Sequence, residues 1–242
     1  SDPLTADPEL CSKTAFSVHT PELFENDHIL DLCSFDDEYR KISIDNMKRV
    51  IEHVEALRPI FRSKKLPVLI INAGGWNKDG FISSNDKKLK YEILEDSLKQ
   101  IDLSGVDLGI QTMPPFPWHF GGQSFHNLFV DPEEIDAFCS KNNYKICLDI
   151  SHSAMACHHY GWDLIKFTKK ISSHINYLHI VDAKGSDGEG IEIGKGDVDF
   201  KLLCKTLNEN NPDIPFIPEV WQGHKDQGIG FYNALNFLEK YL

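Results

Sequence analysis

The sequence predicts an α/β fold with parallel strands and helices outside, and three observations carry that expectation. Short apolar runs alternate with longer amphipathic stretches along the chain. Each run closes on a polar residue or a Gly/Pro turn. No low-complexity linker or shift of composition divides the 242 residues, so 1–242 is expected to form a single domain, long enough to bury a substantial core.

Residues 14–18 (TAFSV) are expected to form a strand that ends at His19. Residues 38–62 follow as a helix, with Ile42, Ile44, Met47, Val50, Ile51, Val54 and Leu57 on its apolar side. Residues 66–72 form a buried strand closed by Ala73-Gly74-Gly75, and 86–103 a helix. Residues 106–111 form a strand followed by a long Pro/aromatic/Gly loop. Asp131-Pro132-Glu133-Glu134 opens the next helix, with Asp at the cap, Pro in the first turn and acids at the positive end of the dipole. Residues 145–149 are a strand, 154–173 contain a helix, and 175–180 are a strand. Residues 183–196 are a glycine-rich loop, 199–210 a helix, 215–219 a short strand and 229–241 a final helix.

Six β-then-α units in strict alternation mean a parallel sheet, which an open doubly wound sheet and a closed barrel both satisfy. No G-x-G-x-x-G follows the first strand, which weighs against dinucleotide binding. The strand ends carry the next observation. They are His19, Asn72, Gln111, Asp149, His179 and Glu219, each polar at the close of an apolar run. In a (β/α)8 barrel those ends face a common centre, where active sites lie. Asp149 to His179 is 30 residues and His179 to Glu219 is 40, one β-α step each, so adjacent strands present Asp, His and Glu side by side. Carboxylate oxygens with an imidazole nitrogen suit one divalent ion such as Mn, Zn, Co, Fe or Mg. A single polar strand end is more often a helix cap; three in consecutive units point to a metal site.

Composition bounds the partners. The formal net charge of −12 disfavours a phosphate backbone, so no nucleic-acid partner is expected. No apolar run approaches 18 residues and SDPLTADPEL is no signal peptide, so no membrane partner is expected. Six cysteines without a CxxC pair fit a reduced, cytoplasmic setting.

Together, Leu148-Asp149-Ile150-Ser151-His152-Ser153, Leu178-His179-Ile180-Val181-Asp182, Ile193-Gly194-Lys195-Gly196-Asp197-Val198-Asp199-Phe200 and Pro218-Glu219 resemble the xylose-isomerase-like superfamily. That superfamily holds sugar and sugar-phosphate isomerases and epimerases, and the endonuclease IV type of repair enzyme. The resemblance runs from about Val18 to the C-terminus. It implies a (β/α)8 TIM barrel and a carbohydrate substrate. It places the metal ligands on Gln111, Asp149, His179 and Glu219, makes His152 a substrate contact, and sets Asp182 beside His179 as a substrate contact or support. The implied activity is a metal-dependent sugar or sugar-phosphate isomerase or epimerase working through an enediolate, with Glu219 and His152 as the catalytic pair. Metal-assisted hydrolysis or lyase chemistry, or a non-catalytic barrel used as a binding module, are the alternatives.

Two departures matter. Gln111 stands where the family has Glu; an amide supplies no charge and exchanges no proton, so of the family's two bases only Glu219 is left. The match starts at what corresponds to the family's third strand, so the first two units, about 60 residues, are expected to be missing, leaving the barrel incomplete or completed in another way. An uncovered sheet edge would invite association, so a homo-oligomer is allowed. The nuclease reading lacks histidine ligands beyond His19, and Asn72-Ala73-Gly74 replaces a His-Pro-Gly.

The remaining substrate-binding candidates are His19, Trp118, Trp221 and Lys184. The loop Met113–Asn127, with Phe116, Trp118, Phe120 and Phe125, either roofs the site or packs on the rim. Trp221 can stack on a sugar ring, and Lys184 with Lys195 can meet a phosphate or remain solvated. His119 and His126 read as surface or packing residues, and His158-His159, on one helix, point to different faces.

Overall fold

The structure is a computed structural model that describes residues 9, 11, 14–61, 65–119 and 122–241. Phe120, one of the loop aromatics expected above, lies outside the described residues. Chain contacts divide the molecule into two compact units, residues 1–75 with 84–110 and residues 76–83 with 111–242.

In the first unit three strands lie parallel and in sequence order: β1 (Ser17–His19), β2 (Val68–Ile71) and β3 (Asp107–Gln111), the last residue of which, Gln111, belongs to the second unit. Leu69, Ile70 and Ile71 are all buried, as both faces of a covered parallel strand must be. Helix α1 (Asp37–Phe61) joins β1 to β2 and buries Ile44, Met47, Ile51 and Val54 at helical spacing. Ile42, expected on that face, is exposed: it sits two positions from Ile44 and so on another side of the helix. Helix α2 (Ser84–Leu98) stops short of the expected 103, where Gln100 N–H to Ser97 O and Ile101 N–H to Leu98 O tighten the chain into a turn.

Behind β2, Asp31 is buried. Its Oδ1 accepts from the N–H groups of Cys33 and Gly75, both at 3.1 Å, and Lys90 Nζ stands 3.8 Å from Oδ2 while donating to Cys33 O. Gly74, at φ +93, is required here, because a Cβ would stand 2.2 Å from Asp31 Oδ1.

The second unit repeats the pattern with β4 (Lys145–Asp149), β5 (Ile175–Ile180) and β6 (Phe216–Pro218), again parallel and in sequence order. Sequential order in both units is that of a (β/α) barrel, where a doubly wound sheet would reverse. Helix α3 (Pro132–Asn142) starts as read from sequence, the Asp131 side chain accepting from Glu133 N–H, and ends on Asn143 in the left-handed region at φ 58. The stretch 154–173, expected to contain a helix, holds the end of α4 (Ile150–Tyr160) and all of α5 (Leu164–Ile171). Left-handed Gly161 ends the first and the Asp163 side chain caps the second. Helix α6 (Phe200–Asn210) is capped by Asp199. Helix α7 (Lys225–Leu238) carries left-handed residues from Asp226 to Gly228, so its regular part begins at the expected 229.

Two expected loops carry strands. Residues 182–184 pair antiparallel with 188–191, and inside 113–127 the pairs 118–119 with 122–123 and 125–126 with 76–77 form. No helix among the described residues is long and apolar enough to cross a membrane.

Candidate metal centre

The strands of the second unit deliver the side chains. In the β4–β5 ladder Asp149 and His179 are register partners, and just past β6 the Glu219 N–H bonds to Ile180 O. One donor atom each from Asp149, His179 and Glu219 falls within 4.8 Å of the others. Asp149 and His179 are buried, whereas the Glu219 side chain is 51% exposed, so the cluster has one open wall.

Asp149 serves two purposes through two oxygens. Oδ1 accepts the His152 N–H at 2.9 Å and so caps α4. Oδ2 faces the cluster, 2.9 Å from Gln111 Nε2 and 3.4 Å from His179 Nδ1. One carboxylate therefore caps a helix with one oxygen and presents the other to the cluster. Thr112 fixes it further: its hydroxyl lies 3.0 Å from Ser153 Oγ and accepts the Asp149 N–H at 2.9 Å.

Charge is concentrated here. Burial would raise the Asp149 carboxyl, but His152 and His179 beside it hold it below the usual range. Burial would lower the His152 imidazole, yet Asp149 and Glu189 push it up to about 10. Burial opposes protonation of His179 too, and Cys147, Asp149 and Glu219 outweigh it, holding the ring protonated well above its ordinary value. Cys147 is itself pushed up by burial and stays a thiol, so the carboxylates are the physical cause.

The donor set fits a cation, and Gln111 tests it. Its Nε2 lies 2.9 Å from Asp149 Oδ2 and 3.0 Å from His179 Nδ1, and that Nδ1 lies 2.8 Å from Glu219 Oε2. An Nδ1 that turns its proton to Glu219 has no lone pair left for the Gln111 amide. Turning the amide over would set Oε1 against the Asp149 carboxylate. Neither orientation satisfies both neighbours, whereas a divalent cation takes lone pairs from all four residues at once.

The other sequence candidates are placed as follows. His152 joins the cluster, Nδ1 bonded to Thr112 O at 2.8 Å and 3.5 Å from Asp149 Oδ2. Asp182, expected as a substrate contact or a support, is turned to backbone. It is 0% exposed, and its carboxylate accepts the N–H groups of Ala183, Gly194, Gly196 and Val198 at 2.8–3.1 Å, leaving no lone pair for a hydroxyl. It is the hub around which the glycine-rich segment folds, and Gly196 is small because a Cβ would stand 2.3 Å from Asp182 Oδ1. Trp118 and Trp221 are 79% and 75% exposed, and Lys184 is exposed. Lys195 pairs with Glu192 at 2.7 Å. His19 ends β1 in the first unit, its Nδ1 2.7 Å from Thr20 O. Phe116 and Phe125 take the rim-packing alternative, in contact with each other, with Phe81 and, for Phe116, with His159. His126 is buried, Nδ1 bonded to Leu128 O.

Sequence reading missed Glu189. Its Oε1 lies 3.0 Å from His152 Nε2. A glutamate in a glycine-rich loop carries no spacing signal; only the hairpin at 182–191 brings it to the cluster.

A parallel, sequence-ordered β/α fold with carboxylates and an imidazole gathered at successive strand ends defines the class: a TIM-barrel protein with its polar centre at the C-terminal ends of the strands. Residues 9–241 match the family model described as xylose isomerase-like TIM barrel, and the chain belongs to that family. No curated protein matches it by sequence. Among solved structures it is similar to a D-tagatose 3-epimerase-like protein, at 21% identity and TM-score 0.68 over 97% of this chain and 80% of that one. It is also similar to an L-ribulose 3-epimerase, at 14% identity and TM-score 0.67 over 100% and 81%. Endonuclease IV from Thermus thermophilus shares the fold too, at 14% identity and TM-score 0.60 over 96% and 79%.

Proposed function

We propose that the protein is a divalent-metal-dependent sugar isomerase or epimerase-like enzyme, with Gln111, Asp149, His179 and Glu219 as ligands. The convergence of Asp149, His179 and Glu219 within 4.8 Å carries this reading, and the 3-epimerases among the structural neighbours support it. A bound divalent ion supplies the positive charge that polarises a substrate carbonyl or hydroxyl oxygen.

The chain's own groups do the rest. Glu219, half exposed and held at His179, is the group able to move a proton between substrate carbon and solvent along an enediolate path. Gln111 cannot take part in that transfer, which favours chemistry with a single carboxylate base over a two-carboxylate epimerisation. His152, fixed through Thr112 O and Asp149, orients a substrate oxygen. The exposed indoles of Trp118 and Trp221 offer apolar faces to a sugar ring. The nuclease neighbour shares the fold, but the formal net charge of −12 opposes a DNA substrate.

Elemental analysis of purified protein beside Glu219→Gln tests the reading. Near one equivalent of Mn, Zn, Co or Fe in the wild type is expected, with ketose–aldose or epimer exchange followed by NMR and lost in the variant. A fully active Glu219→Gln enzyme overturns the assignment. Release of a small product without exchange would move the chemistry to hydrolysis or lyase cleavage.

A further inference from the structure

We propose that Glu189 is a substrate-recognising carboxylate of this site, and that with His152 it selects an unphosphorylated, hydroxyl-bearing sugar over a sugar phosphate. This rests on the isomerase reading above and deepens it.

Glu189 is not a loosely placed surface acid. It lies on the second strand of the 182–191 hairpin, and that strand is tied down at three points. Glu189 Oε1 meets His152 Nε2 at 3.0 Å, the Gly190 N–H reaches Ser151 Oγ at 3.3 Å, and the Trp221 N–H donates to Gly190 O at 2.8 Å. Gly190 sits at φ +71, where a Cβ would also stand 3.0 Å from the Trp221 Cβ, so glycine is required where the strand passes Trp221. The chain that follows is anchored by three N–H bonds to Asp182, from Gly194, Gly196 and Val198. The result is a carboxylate one imidazole ring away from Asp149, with a side chain still 52% exposed.

The pair has a definite recognition chemistry. His152 Nδ1 donates to Thr112 O, and its Nε2 edge meets Glu189 Oε1 at 3.0 Å. A donor and an acceptor thus stand bonded to each other, the imidazole nearly buried and the carboxylate 52% exposed. A sugar hydroxyl satisfies both, accepting from the imidazole and donating to the carboxylate. A phosphate at neutral pH offers acceptors and negative charge, which Glu189 repels. The ion pairs that Asp149, Glu189 and Glu219 make among the described residues are with His152 and His179, and none is with a lysine or arginine. Lys195, the other candidate phosphate contact beside Lys184, is already paired with Glu192.

The test uses the Mn-loaded 242-residue protein, with a panel of free ketohexoses and their 6-phosphates as probes. Binding is read by calorimetry and turnover by NMR, for the wild type, Glu189→Gln and Glu189→Lys. The wild type is expected to bind and convert a free ketohexose, with its 6-phosphate at least about tenfold weaker. Glu189→Gln is expected to raise KM for the free sugar about tenfold with metal content unchanged, and Glu189→Lys to shift preference toward the phosphate. A wild type that prefers the phosphate, or a Glu189→Gln enzyme with unaltered KM, overturns the role of Glu189 while leaving the isomerase reading intact. Loss of metal together with sugar binding in Glu189→Gln would make the residue structural and also overturns it. No binding of either sugar class by the metal-loaded wild type overturns both.

Discussion

Asp149 shows how much one residue carries at this site. One oxygen caps α4 and the other faces the cluster, so the two roles separate by substitution. With the proposed ligand role, Asp149→Ala is expected to lose metal affinity, and with the cap about 1 kcal/mol of stability. Asp149→Asn keeps a capping oxygen, so it should lose metal affinity while its urea midpoint stays near that of the wild type. Equal destabilisation by both would sink the two-role account. Asp182 is the contrasting case, an acid near the cluster whose whole capacity is spent on backbone. Asp182→Ala strands four N–H groups in a buried setting, and on the order of 3 kcal/mol or more is expected by urea denaturation. A loss below about 1 kcal/mol would mean water replaces the carboxylate readily.

At the scale of elements, helix ends were the most legible features. Asp131, Asp163 and Asp199 each accept a backbone N–H at the start of a helix, as short acceptor side chains should. The C-terminal end of α3 is less well served. Asn143 holds the left-handed conformation at φ 58, where glycine carries no Cβ penalty. Asn143→Gly is expected to raise the melting temperature, by about 0.5 kcal/mol of stability; a lower melting temperature would show that the Asn side chain contributes more than its backbone costs. The same physics divides the stretch 154–173, where Gly161 permits a left-handed turn and Asp163 caps the next helix.

For the whole molecule, His28 couples folding to pH. It is buried with Nε2 2.8 Å from Ser43 Oγ, and burial lowers its pKa, with Asp31 opposing. The unfolded chain therefore binds the proton more tightly than the folded one. The stability that His28 contributes is present above the unfolded value of 6.5 and is lost as pH falls from there toward the lower folded value. The stability difference between the wild type and His28→Gln is expected to shrink as pH falls from 7 toward 5.5, measured by urea unfolding at each pH. A difference independent of pH would show that the imidazole titrates alike in both states.

The sequence by itself determined the fold class, because strand alternation and helix caps are local and periodic. It also determined the trio Asp149, His179 and Glu219, because in a parallel β/α chain the ends of successive strands must be neighbours. Only the tertiary structure decided which acids are free for chemistry. Asp182 and Glu189 lie on one hairpin and are equally acidic in the sequence, yet one is consumed by four backbone donors and the other is delivered to His152. That difference arises from where a glycine-rich loop folds back, and the loop's path is set by contacts between residues distant in sequence, which no local pattern records.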